Sequence, residues 1–145
     1  MTKMYTALVT VFVAAAAFAT AAPVQAQEVH LVARVPFDFA VGNSSLPPDT
    51  YSLSRMDGHP EMMFVRGERT GAFVRTSEGR MPTDAATPTL VFHRYGDEYF
   101  LREIRWEGAA RFNLPETKAE RAAAEHHADR AAALMQTVII AAQRQ

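Results

Sequence analysis

This sequence predicts a mainly β domain followed by one C-terminal helix. Apolar residues occupy every odd position from Val29 to Val41, the period-two signature of a strand with one buried face. Short runs rich in aromatic and β-branched residues then recur as far as Trp106, separated by Gly, Asp and Pro. Beyond Lys118 the chain holds Ala, Glu, Arg and Gln with neither Gly nor Pro, a composition that favours helix. Strands first and a helix last predict an antiparallel sheet of about six strands, folded as a small sandwich or incomplete barrel. The expected division is a leader at 1–26, a β-domain at 27–113 and a helix within 114–145.

The leader has the form of a cleavable export signal. Lys3 precedes an apolar run from Ala7 to Ala22, Pro23 closes it, and Val24-Gln25-Ala26 has the small-x-small character of a peptidase site. The run falls short of the ~20 residues that span a bilayer, so no stable membrane span is expected after cleavage. The expected location is periplasmic or extracellular in a bacterium. The chain has no cysteine, which excludes disulfides, thiol nucleophiles, iron–sulfur clusters and most structural zinc sites.

Each element has a local reason. In the first strand Pro36 lacks a ladder donor and predicts an edge or a bend there. Gly42 to Asp49 is turn-rich, and Thr50–Arg55 follows as a strand with Tyr51 and Leu53 inward. Asp57-Gly58 predicts a tight turn. Met62–Val65 and Ala72–Arg75 are two more short strands, and 77–88 reads as a loop without periodicity. Gly96-Asp97 suits a two-residue hairpin turn. Closing there pairs Tyr95 with Glu98, Arg94 with Tyr99, His93 with Phe100 and Phe92 with Leu101. Strict parity then places Ile104 on the face of Phe100. Thr117 with Glu120 forms a capping box that opens the helix, which is expected to run to about Ala142.

No catalytic constellation is present. There is no G-x-S-x-G elbow, the seven glycines never cluster as a phosphate cradle, and His126-His127 are adjacent instead of i, i+4. Adjacent helical histidines point about 100° apart and suit a solvated face better than a metal site. His93 is expected to be a partly buried histidine satisfied by one hydrogen bond. The aromatics around Tyr95, Tyr99, Phe100 and Trp106 are expected to pack across strands. With 15 Lys+Arg against 16 Asp+Glu, the chain lacks the broad basic surface that nucleic acid requires. No cofactor, metal or catalytic residue is expected.

Three stretches carry a resemblance. Pro36-Phe37-Asp38-Phe39-Ala40-Val41-Gly42 leading into Leu46-Pro47-Pro48-Asp49-Thr50-Tyr51 resembles a P-F-x-F-x-V-G…L-P-A-G-x-Y pattern. Leu90 to Leu101 and Leu114 to Arg121 are similar to the hairpin and helix start that accompany that pattern in a group of small exported bacterial proteins. The departure is Pro48-Asp49 where the pattern has Ala-Gly. The resemblance implies export and a compact β-domain with a trailing helix, and no activity, cofactor or site residue.

The functional expectation is therefore a non-enzymatic exported domain acting by association with an envelope protein or with itself. The candidate contact is the apolar C-terminal cluster of Leu134, Met135, Val138, Ile139 and Ile140. The competing reading of that cluster is a helix covering the domain's own core, and its β-branched run also suits a strand. The alternative function is a small-ligand carrier with an apolar pocket between sheet and helix.

Overall fold

The computed structural model describes residues 30–80, 87–106, 108, 110–128 and 135–145; the expected leader lies outside them. Along the chain come β1 (Leu31–Val35), β2 (Phe39–Val41), β3 (Ser44–Leu46), β4 (Asp49–Met56), β5 (His59–Arg66), β6 (Gly71–Arg75), β7 (Ser77–Arg80), β8 (Thr89–Tyr95), β9 (Glu98–Arg105), β10 (Ala110–Asn113), α1 (Lys118–Ala128), β11 (Gln136–Ala141) and β12 (Gln143–Arg144). The first sheet has the order β12-β1-β4-β5-β6 and the second β11-β8-β9-β10-β7. The short β2 lies parallel to β9 at Ala40↔Phe100 and forms a hairpin with β3.

Both sides of this pair of sheets are joined by continuous chain. At Thr76 the backbone leaves β6 of the first sheet for β7 of the second, and at Ala142 it leaves β11 of the second for β12 of the first. Each corner is buried and bonded: the Thr76 N–H donates to the Glu61 carbonyl at 2.7 Å and the Ala142 N–H to the Pro88 carbonyl at 2.9 Å. Strands that bend from one sheet into the next are how such corners close. The inner faces fill the space with Leu31, Tyr51, Leu53, Met63, Leu90, Phe92, Ile104 and Phe112, none more than 1% exposed. Full burial of such side chains stabilises by about 1.5–3 kcal/mol each.

Among the described residues the architecture is mainly β with one helix, which lies in the C-terminal third. The alternation of the first strand holds at Leu31, Ala33, Val35, Phe39 and Val41, all buried. Pro36 divides it as a bend, sending the chain from the first sheet into β2 beside the second. The hairpin closes at Gly96, whose φ is 60°, with the expected Tyr95↔Glu98 to Phe92↔Leu101 register.

Four expectations are corrected. Phe92 pairs with Leu101 but Val91 with Glu103, so Arg102 is an extra, bulged residue. The bulge reverses parity, and Ile104 turns into the main core instead of following Phe100. Ser77–Arg80 is a strand paired with β10, not loop. It lacks alternation because its side chains lie at an exposed edge. Trp106 is followed by β10, whose Phe112 is buried. Lastly, the helix is described only to Ala128, and Gln136–Ala141 pairs with β8 along six residues. The β-branched Thr137-Val138-Ile139-Ile140 run suits a pleated surface better than a helix, so the described residues of 114–145 form a helix and two strands.

Among the described residues no helix is long and apolar enough to cross a membrane.

Candidate functional site

The two sheets differ in how their outer faces are treated. On the second sheet, α1 lies over the β8–β9 hairpin and buries Tyr95, Phe100 and Ala123 in a small separate cluster. Alanine is the main apolar residue of this helix, so its docking relies on polar contacts. Glu120, 1% exposed, is the centre of these. Its carboxylate accepts from Arg102 Nη1 at 2.9 Å, stands 3.1 Å from His93 Nδ1 and lies 3.5 Å from the Tyr95 hydroxyl. Alternation from Phe100 puts Arg102 on the helix side of β9, and the bulge then turns Ile104 to the main core.

Only half of the expected capping box forms. The Glu120 N–H donates to Thr117 Oγ1 at 3.1 Å, while the Glu120 carboxylate turns to the hairpin. Burial pushes the Tyr95 phenol above its ordinary value, and the nearby Glu120 charge acts in the same direction. At the far end of α1, His127 Nε2 stands 3.9 Å from Glu98 Oε2. The space between sheet and helix, where a carrier would need its pocket, is thus taken by the ring pair Tyr95–Phe100, Ala123 and the Glu120 cluster. Both oxygens of the Glu120 carboxylate are engaged within the fold, Oε1 facing His93 and Tyr95 and Oε2 accepting from Arg102. Its chemistry is that of a fastening, with a charged carboxylate matched by Arg102 and hydrogen bonds.

The first sheet has no helix over it among the described residues. Alternation turns Arg34, Arg66, Phe64, Phe73 and Arg75 outward. Phe73 is 59% exposed and stacks on Phe64 with ring centroids 4.4 Å apart. No outward strand position of this sheet carries Asp or Glu. Arg34, Arg66 and Arg75 are exposed and have no carboxylate partner among the described residues. Near Arg66 a shallow hollow of about 390 Å³ is lined also by Val32, Thr50, Ser52 and Gly67, with the carboxylates of Asp49 and Glu68 among its walls.

A larger hollow, about 710 Å³, opens beside β6. One wall is Phe73, Val74 and Arg75; the other is Gly42–Ser44 with the lead into α1, Leu114–Lys118. β6 pairs with β5 on one side and, among the described residues, with no strand on the other. Its free edge therefore faces this hollow with unpaired backbone donors and acceptors. Arg75 and Lys118 bring positive charge to it, while the one carboxylate in its lining, Glu116, is paired with Arg121 at 3.6 Å.

The residues singled out from sequence are divided by the structure. Leu134 lies outside the described residues. Val138 and Ile140 pack against the main core from β11, whereas Met135 and Ile139 are 48% and 54% exposed on the opposite side of that strand. His93 has its hydrogen bond in Glu120. The His126 and His127 rings lie 5.2 Å apart, and the described residues hold no group of three side chains able to bind a metal. Asp49, where the sequence departs from the family-like pattern, accepts from the Thr50 N–H at 2.7 Å and the Glu68 N–H at 2.8 Å. It ties the β5–β6 loop to the start of β4, and these backbone donors, Glu68 foremost, hold its carboxyl below the ordinary value.

Sequence reasoning missed the outer face of the first sheet. Its signal was present in Phe64-x-Arg66 and Phe73-x-Arg75, where a ring and a guanidinium share one side of each strand.

No family model, curated protein or solved structure matches this chain.

Proposed function

We propose that this chain is an exported, non-enzymatic binding domain of the cell envelope, and that it engages a partner through the outer face of its first sheet and the adjoining edge of β6. The observation that carries this reading is an uncovered face whose edge strand exposes Phe73, with Arg75 beside it lacking a carboxylate partner among the described residues. The carboxylates near this face, Asp49 and Glu68, gather away from Phe73 around the hollow at Arg66. Aromatic and Arg side chains are enriched among the groups that dominate association energies. The Glu120 cluster favours no catalytic role, because its groups are spent on one another. Export rests on the leader sequence.

Met135 and Ile139 support a second reading, a smaller self-association contact on β11. The two readings separate in the native host. A Phe73→Ser, Arg75→Glu chain and an Ile139→Ser chain are compared with wild type by native gel filtration of gently solubilised envelope. All three altered positions are exposed, so folding is preserved, which circular dichroism checks. The proposal expects wild type and Ile139→Ser in a larger complex and the double variant as the bare chain. A complex lost only in Ile139→Ser, or no complex for wild type, overturns it.

A further inference from the structure

Resting on that reading of the β6 face, we infer that the ligand is an extended, acidic segment of a partner protein that adds as a strand to the free edge of β6. The class of ligand follows from the backbone. An unpaired strand edge presents N–H and C=O groups at the spacing of another peptide chain, and strand addition uses those bonds for affinity and alternate side chains for specificity. A sugar chain or a lipid headgroup has no matching row of donors and acceptors. The hollow along that edge leaves room for the added strand, bounded across from β6 by Gly42–Ser44 and Leu114–Lys118.

The side chains set the chemistry. On an added strand, residues that face outward alternate with residues that face the fold. The outward ones stand beside Phe73 and Arg75, and one wall of the hollow adds Lys118. The segment therefore carries a carboxylate opposite Arg75 and, two residues away on the same side, an apolar side chain against Phe73. Arg66 lies one strand over and four residues along from Arg75, roughly 14 Å away by sheet geometry. It shares a hollow with Asp49 and Glu68, so it neither touches the added strand nor sets its charge, which falls to Arg75 and Lys118.

The test uses residues 27–145 and a capped peptide, Thr-Glu-Thr-Val-Thr-Glu, as the probe, in which a Glu and the Val two residues on share one side of the strand. The comparisons are the same peptide with Lys in place of Glu, the same peptide N-methylated at alternate amides, and polyglucuronate. Amide NMR shifts report the site. The acidic peptide is expected to shift residues 71–75 and 114–118, while the Lys peptide leaves them unmoved. N-methylation, which removes at least two edge hydrogen bonds, is expected to weaken binding about tenfold or more. Arg75→Glu is expected to reverse the preference to the Lys peptide with the melting temperature unchanged.

Equal binding of the N-methylated peptide overturns strand addition. Tighter binding of polyglucuronate overturns the peptide class, and shifts confined to residues 135–141 overturn the site. No shift with any probe overturns the inference, whereas the envelope complex of the preceding section depends on position 73 whether or not this peptide chemistry is right.

Discussion

Replacing Glu120 by Ala tests how the helix is fastened. The carboxylate is 1% exposed and is matched by Arg102 at 2.9 Å and His93 at 3.1 Å. Removing one partner of a buried ion pair costs about 3–5 kcal/mol when the other charge stays buried. Here the Arg102 and His93 side chains are 24% and 26% exposed, so each can recover part of its hydration by moving. The loss of hydrogen bonds and the cavity remain, which places the expected cost at about 2–3 kcal/mol. In urea unfolding of residues 27–145 that shift is a fall in midpoint of roughly 1–2 M at the slopes typical of small domains. A Glu120→Ala, Arg102→Ala double variant is expected to be less unstable than the sum of the two single changes, because they share one interaction. A Glu120→Ala midpoint within error of wild type would refute the reasoning, as would strict additivity.

Gly96 and Gly58 both have positive φ, 60° and 76°, but an added Cβ at Gly96 meets the His127 ring at 2.6 Å while at Gly58 it meets nothing within 4 Å. Gly58→Ala is expected to cost about 1–2 kcal/mol from backbone strain alone, and Gly96→Ala clearly more; equal costs in denaturant titration would contradict the packing of α1 on the hairpin. Asp49 has its carboxyl held below 3.8 by backbone donors, so its contribution is present above that pH and is lost as pH falls through the lowered value. Wild type is therefore expected to lose stability more steeply below pH 3.8 than Asp49→Ala does in acid titration of the melting temperature, and parallel curves would contradict it. Deleting residues 136–145 removes β11, β12 and the corner at Ala142, and is expected to abolish cooperative unfolding. A truncated chain with an unchanged midpoint would mean that the tail only touches other molecules.

The parts of the fold legible in the sequence are those whose signal is local. Gly96-Asp97 with apolar residues on either side gives the hairpin and its register, because turn geometry and side-chain alternation agree there. The face of Ile104 is not legible in this way, since one bulged residue at Arg102 reverses every side chain after it. Ser77–Arg80 carries no hydrophobic period; it is a strand because β10 offers it backbone partners, a tertiary cause. The C-terminal strand is the instructive case. Alanines up to Ala133 favour helix, Val138-Ile139-Ile140 favours strand, and an unpaired side of β8 decides for the strand. Glu120 was visible as a capping residue, but its burial was not, because Arg102 and His93 are brought to it by the hairpin. The candidate face was missed for a similar reason: exposure of Phe73 depends on no helix covering the first sheet.

The central claim is that this protein meets its partner through the β6 face and not through its C-terminal strand. The most direct measurement is photo-cross-linking in the living host, with p-benzoylphenylalanine replacing Phe73 in one chain and Ile139 in another. The account predicts a discrete covalent adduct from position 73 and none from position 139, and an adduct from position 139 alone, or from neither, would contradict it.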